Sequence, residues 1–181
     1  MSTRFMSNID FNLQPEILEN ELIKLIPLQE SDLEMLYKVA SDPEIWANHP
    51  SKNRYKREEF QFFLDSALAS KSAFLVYDVA TNELIGSTRY YDFDSENSKI
   101  AIGYTFLAKK YWGAGHNKAM KKLLIDYAFQ YVNTILFHIG ETNIISQKAI
   151  AKIGATKLGV VDFNNSEIPY LEYQILKEDW V

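Results

Sequence analysis

The stretch between residues 99 and 132 restricts this chain's fold more than any other. Residues 99–107, Lys-Ile-Ala-Ile-Gly-Tyr-Thr-Phe-Leu, read as a strand, and Gly113 and Gly115 punctuate the turn that follows. Residues 117–132 then put Ala119, Met120, Leu123, Leu124, Tyr127, Ala128 and Tyr131 on one side of a helix. Lys118, Lys121, Lys122 and Asp126 are expected on the outward side. A strand delivered directly into an amphipathic helix calls for a sheet layer with helices packed on it.

The flanking patterns extend this plan. Residues 22–28 read as a strand, and Ser31-Asp32-Leu33-Glu34 as a capping box opening a helix with Leu33, Leu36, Tyr37 and Ala40 on its apolar stripe. Asp42-Pro43 stops that helix. An irregular stretch, residues 44–50, precedes a second helix with Phe60, Phe63, Leu64, Ala67 and Leu68 on one face. Residues 73–78 and 84–91 form a hairpin around Thr81-Asn82-Glu83, and 92–98 turn into the strand at 99. Residues 134–139 read as a strand, 143–153 as a helix ended by Gly154, and 157–163 and 170–176 as a closing strand pair. The expected fold is α/β in the α+β sense: a mixed, mostly antiparallel central sheet flanked by helices on both faces. Residues 1–20 are expected to form a partly ordered arm and 21–181 one domain.

Composition narrows the function. A net charge of -5 argues against a nucleic-acid partner, and the absence of cysteine excludes a cysteinyl acyl intermediate, thiolate metal sites and disulfides. No stretch approaches the ~18 apolar residues of a membrane span. The expectation is therefore a cytoplasmic protein with no membrane partner and no metal.

The junction Lys110-Tyr111-Trp112-Gly113-Ala114-Gly115-His116-Asn117 is the most informative segment. Glycines one residue apart let backbone amides turn toward a ligand, and the following helix adds the partial positive charge of its N-terminus, a combination suited to pyrophosphate. A nucleotide-triphosphate loop would continue Gly115 with Lys-Ser or Lys-Thr, whereas His116-Asn117 follow. A dinucleotide fingerprint would need glycine at Lys118 and the first strand of a βαβ unit.

With Lys110, Gly113 and Gly115 at the places of Arg/Gln-x-x-Gly-x-Gly/Ala, the chain resembles the GNAT N-acetyltransferase superfamily. Lysine stands where that family has arginine or glutamine. Asn143-Ile144-Ile145-Ser146 and Lys152-Ile153-Gly154-Ala155 resemble its second block. Ile102-Gly103-Tyr104, Tyr111-Trp112-Gly113, Asn143 with Ser146, and Glu178-Asp179-Trp180 resemble the ribosomal-protein N-terminal acetyltransferase branch. The resemblance implies acetyl-CoA as cosubstrate, lying in a splay between strands 99–107 and 134–139. The loop from Lys110 to Asn117 would hold its pyrophosphate, Phe106 or Leu107 its carbonyl oxygen, and Asn143 and Ser146 would flank it.

The chemistry needs a base for the amine and an acid for the leaving thiolate. The family's carboxylate position falls on Ala101, and its tyrosine position on Ile150. Ser146, three residues after Asn143, is the acid the ribosomal branch implies, and its alternative is a first-turn helix serine bonding backbone amides. Glu141 leads the candidates for base, followed by His138, Glu167 and Glu172, with water as a further option. Trp46, His49, Arg54, Arg89 and Tyr90 are candidates for the acceptor site. Three readings remain open: transfer to a primary amine (a protein N-terminus or a small molecule) by a monomer or homodimer, an acyl-CoA sensor with little turnover, and a non-catalytic interaction domain.

Overall fold

The structure, a computed structural model, describes residues 10–181. Its centre is one eight-stranded sheet in the order β1-β2-β3-β4-β5-β6-β8-β7. The strands are β1 (Leu18–Glu19), β2 (Ile23–Pro27), β3 (Ala73–Asp78), β4 (Leu84–Asp94), β5 (Lys99–Leu107), β6 (Thr134–Gly140), β7 (Thr156–Val161) and β8 (Tyr170–Leu176). Every neighbouring pair is antiparallel except β5 and β6. A parallel pair needs a crossover, and α4 (His116–Ala128) supplies it.

The mixed, mostly antiparallel sheet read from the sequence is therefore the one found, with helices on both faces. Helices α1 (Leu33–Ala40), α2 (Pro43–Trp46) and α3 (Arg57–Ser70) contribute Leu36, Trp46, Phe60 and Leu64 to one core cluster. Helix α4 contributes Met120, Leu124 and Ile125 to the other, and α5 (Ile144–Lys152) adds Ile150. Strand alternation feeds both: Phe74 and Val76 of β3 belong to the α4 side, and Ala73 and Leu75 to the α3 side.

Three local expectations are corrected. The first helix is entered through a 3-10 turn, Glu30–Asp32, in which the Asp32 carboxylate accepts from the Gln29 amide at 2.8 Å. Glu34 pairs with Arg57 of α3 instead of capping. Asp42 does more than end a helix, since its carboxylate accepts from the Glu44 amide at 2.9 Å and caps α2. Lys121 does not face outward: it is 5% exposed, and its ammonium donates to Thr105 Oγ1 at 2.8 Å. Residues 1–9 of the expected arm lie outside the described residues. In its remainder, Phe11 is buried, with its ring stacked 4.6 Å from that of Tyr131, and the Gln14 side chain donates to the Ala73 carbonyl.

Two features open the sheet in its middle. The β5–β6 ladder consists of Lys99↔Thr134, Ile100↔Ile135 and Ala101↔Leu136, beyond which the two strands part. On its other edge β5 carries a bulge against β4, between Ser87 and Arg89, where Tyr104 takes the left-handed φ of 50°. An extra residue of this kind bends a strand. Gly86 accommodates the bend, because a Cβ there would stand 1.9 Å from the Phe106 carbonyl oxygen.

Candidate active site

The parting of β5 and β6 leads to the glycine loop. Gly113 and Gly115 have φ of 73° and 88°, a region in which a Cβ is strained. Among the described residues, the amides of residues 113–118 have no hydrogen-bond acceptor, and the last three are the first turn of α4. A run of free amides ending on a helix N-terminus concentrates partial positive charge at one spot, the arrangement that holds phosphate oxygens.

Side chains expected to join those amides turn the other way. Lys110 Nζ lies 2.7 Å from Glu83 Oε2, and the Tyr111 hydroxyl donates to the same oxygen at 2.8 Å. His116 Nε2 lies 2.8 Å from Asp78 Oδ1, and Ala114 is exposed. Lys110, with Tyr111, holds the Glu83 carboxyl below its ordinary value; Thr81 and His116 do the same for Asp78. Lys110, Tyr111 and His116 thus brace the loop against β3 and the β3–β4 turn. The Lys110 side chain thus meets a carboxylate and is turned away from the loop amides.

A cavity of about 570 Å³ runs from the loop into the splay. Phe106, Leu107, Trp112, Gly113, Gly115 and Asn117 line it from β5 and the loop, and Asn143 and Ser146 from α5. Asn143 caps α5 by accepting from the Ser146 amide at 3.2 Å. The Ser146 hydroxyl has no hydrogen-bond partner among the described residues. Lys121 also lines this cavity. No carboxylate lies within 4.0 Å of it among the described residues, and burial pushes its amine down to about 7.

A second cavity, about 410 Å³, lies beside the first and shares His49, Pro50, Tyr104, His138 and Tyr170 with it. His138 stands on β6 with both ring nitrogens engaged, Nδ1 2.7 Å from the Tyr91 hydroxyl and Nε2 2.9 Å from Glu172 Oε2. The pairing is built into the register, since His138 and Glu172 are opposite one another across β6 and β8. Burial keeps the Tyr91 phenol far above its ordinary value, and it therefore remains protonated.

Several expected site residues stand elsewhere. Glu141 is exposed just past β6 and lines neither cavity, because the chain turns outward after Gly140. Tyr90 faces the α4 side, fully buried, with its hydroxyl donating to the Leu124 carbonyl at 2.5 Å. Its neighbour on β4, Arg89, is buried on the other face; it donates to Ser66 and lines neither cavity. Trp46 reaches the wall of the large cavity, but it is 1% exposed and donates to the Ala40 carbonyl, so it serves mainly as core. His49 does reach the site, where burial and the nearby Arg54 hold its imidazole at about 3, in the neutral form. Sequence reading missed Lys121, Tyr91, Tyr104, Phe163 and Tyr170; of these, Lys121 carried a signal in its spacing of three and four positions from Leu124 and Ile125.

Proteins of known structure share this fold. The chain is 29% identical over 123 residues to the uncharacterized N-acetyltransferase p20 of Bacillus licheniformis, a match covering 65% of this chain and 68% of that one. A GCN5-related N-acetyltransferase from Brucella melitensis superposes with a TM-score of 0.79 at 20% identity, over 91% of this chain and 80% of the other. The spermidine N-acetyltransferase of Vibrio cholerae, crystallised with CoA and spermine, superposes with a TM-score of 0.68 at 16% identity, over 88% and 98% of the two chains. The model of the acetyltransferase (GNAT) domain matches residues 23–156, through both strands of the splay and the glycine loop between them, and the chain belongs to that family.

Proposed function

We propose that the protein transfers an acetyl group from acetyl-CoA directly to a primary amine. The observation that carries this reading is the meeting of two cavities at the β5–β6 splay. One reaches the run of acceptor-free amides at residues 113–118, of which Gly113, Gly115, Asn117 and Lys118 line it, and the other contains a histidine joined to a carboxylate. The residues fit the cosubstrate. Residues 113–118 offer donors for a pyrophosphate, and the parted edges of β5 and β6 offer backbone groups to an extended pantetheine arm. The CoA in the Vibrio cholerae crystal and the N-acetyltransferase name of p20 support the same reading. Acetyl-CoA supplies the activated acyl group.

The remaining chemistry belongs to side chains. Glu172 accepts the Nε2 proton of His138, which leaves Nδ1 as the acceptor facing the Tyr91 hydroxyl. An amine in the smaller cavity gives its proton to the Tyr91 oxygen as the Tyr91 proton passes to Nδ1, and Glu172 balances the imidazolium. Ser146 donates to the departing sulfur, and Lys121 lines the same cavity. Because the chain has no cysteine, transfer within a ternary complex is the simplest route.

The test is time-resolved release of CoA thiol from acetyl-CoA across amino acids, polyamines, aminoglycosides and N-terminal peptides, with mass detection of product. The peptides test the finer reading, a protein N-terminus as acceptor. Acetylated product with any amine supports the proposal; tight CoA binding with no product from any acceptor refutes it in favour of the sensor reading, which the Ala101 and Ile150 departures favour.

A further inference from the structure

The smaller cavity contains a charge that the transfer chemistry leaves unused. Arg54 lines it, between Ser51 and the aromatic walls made by Tyr91, Tyr104, Phe163 and Tyr170. Its guanidinium donates to Ser51 Oγ at 3.0 Å and stands 5.2 Å and 4.9 Å from the ring centroids of Trp46 and Phe63. Among the described residues, no carboxylate lies within 4.0 Å of it.

A second guanidinium aggravates the imbalance. Arg89, 4% exposed, lies 3.5 Å from the centroid of Tyr104, a wall of the same cavity, and its Nε has no hydrogen-bond partner among the described residues. It too has no carboxylate partner among the described residues. Burial, the largest influence, lowers Arg54 to about 10; repulsion from Arg89 adds to it, against the opposing influence of the Tyr170 and Tyr104 phenols and of the Glu59 carboxylate. Arg54 is half-buried and Arg89 buried, and proteins rarely hold desolvated guanidinium groups near one another without a counter-anion. The acids nearby are otherwise placed: Glu172 is bonded to His138, Glu167 is exposed at the cavity wall, and Glu59 is exposed in the first turn of α3, outside the cavity lining.

We infer that the missing anion arrives with the acceptor: the substrate is an amine that also carries a carboxylate, as an amino acid does, and Arg54 binds that carboxylate. The inference rests on the amine-acceptor reading above and names the acceptor's class. A guanidinium presents a planar fork of N–H donors matched to a carboxylate, and the rings around it exclude water. With the carboxylate on Arg54, the amine is directed to the other side of the cavity, toward Tyr91 and His138. The aromatic walls suit an apolar side chain. A polyamine, which brings only positive charge beside Arg54 and Arg89, is disfavoured despite the overall net charge of -5. Local charge decides here because it is desolvated, whereas the surface charge is screened.

The test separates binding from turnover. Calorimetric titration of the CoA-loaded protein with N-acetyl-phenylalanine, N-acetyl-leucine and their C-terminal amides measures the carboxylate preference without any catalysis. The acids are expected to bind at least tenfold more tightly than the amides. That preference should vanish in Arg54→Gln and survive in part in Arg54→Lys, both variants being checked by circular dichroism. Equal binding of acids and amides, no binding of either, or a preference that persists in Arg54→Gln would overturn the inference. The acceptor panel reports separately on acetyl transfer, so either conclusion can fail alone. If transfer occurs, phenylalanine should exceed phenylalaninamide and phenethylamine in kcat/KM, with the loss in Arg54→Gln falling on KM more than on kcat.

Discussion

Replacing Lys121 with methionine should change how stability depends on pH, by an amount that follows from its burial. The folded protein holds this amine at about 7, against an ordinary value of 10.5. Between those values the unfolded chain keeps a proton that the folded chain has lost, so stability rises with pH across that window. Below pH 7 the folded state carries the full cost of a buried ammonium. Each pH unit within the window is worth about 1.4 kcal/mol, so the wild type should gain about 2.7 kcal/mol relative to Lys121→Met between pH 6 and pH 9. With a urea slope of about 2 kcal/mol per molar, the two midpoints should move relative to one another by about 1.3 M. Groups that both proteins share cancel in the comparison, and methionine preserves most of the packed stem. Urea titrations of both proteins at pH 6, 7, 8 and 9 make the measurement. A difference in midpoint that stays flat over this range would refute the reasoning, since it would mean that the amine titrates as an exposed lysine does.

Other variants address the remaining assignments. Gly113→Glu should lower CoA affinity at least a hundredfold by calorimetry while shifting the melting temperature little, because nothing lies within 4 Å of a Cβ there and the left-handed φ costs only about 1–2 kcal/mol. His138→Gln should lower kcat/KM by a factor of roughly 10² to 10⁴, with part of the loss recovered at high pH where the amine arrives deprotonated, and Glu141→Gln should leave the rate unchanged. Ser146→Ala should lower kcat roughly tenfold or more with the KM for acetyl-CoA within twofold, and an unaltered kcat would return Ser146 to a helix-start role. Gly86→Ala should destabilise the fold by about 3 kcal/mol in urea titration, since its Cβ would collide with the Phe106 carbonyl.

The fold was legible where periodicity is long and turns are punctuated. Residues 170–176 and 73–78 form strands within the bounds their patterns suggested, and the glycine loop stands at the junction that its two glycines marked. Side-chain direction was less legible. Lys121 reads as an outward residue by charge alone, yet it precedes Leu124 by three positions and Ile125 by four, a spacing that carries it toward the buried side of α4. Lys110 could not be known to turn from the ligand loop, because its partner Glu83 is distant in sequence and is brought near only by the β3–β4 turn. Glu141 was favoured for its closeness in sequence to the splayed strand; His138, three residues earlier, has the geometry because its neighbours on β4 and β8 face it. The uncompensated Arg54 is invisible in a sequence, where the absence of a partner cannot be seen.

Three pairs of residues, from Lys99↔Thr134 to Ala101↔Leu136, are all that stitch the first five strands to the last three along the sheet. This short parallel seam borders the gap in which the proposed cosubstrate would lie. A ligand lying in the gap acts as mortar between two halves, so occupancy should be felt as cohesion of the whole and not only as local order. Amide exchange should show β6, β7 and β8 opening together ahead of β3 and β4 in the free protein, and the two groups merging into one cooperative unit once CoA is bound.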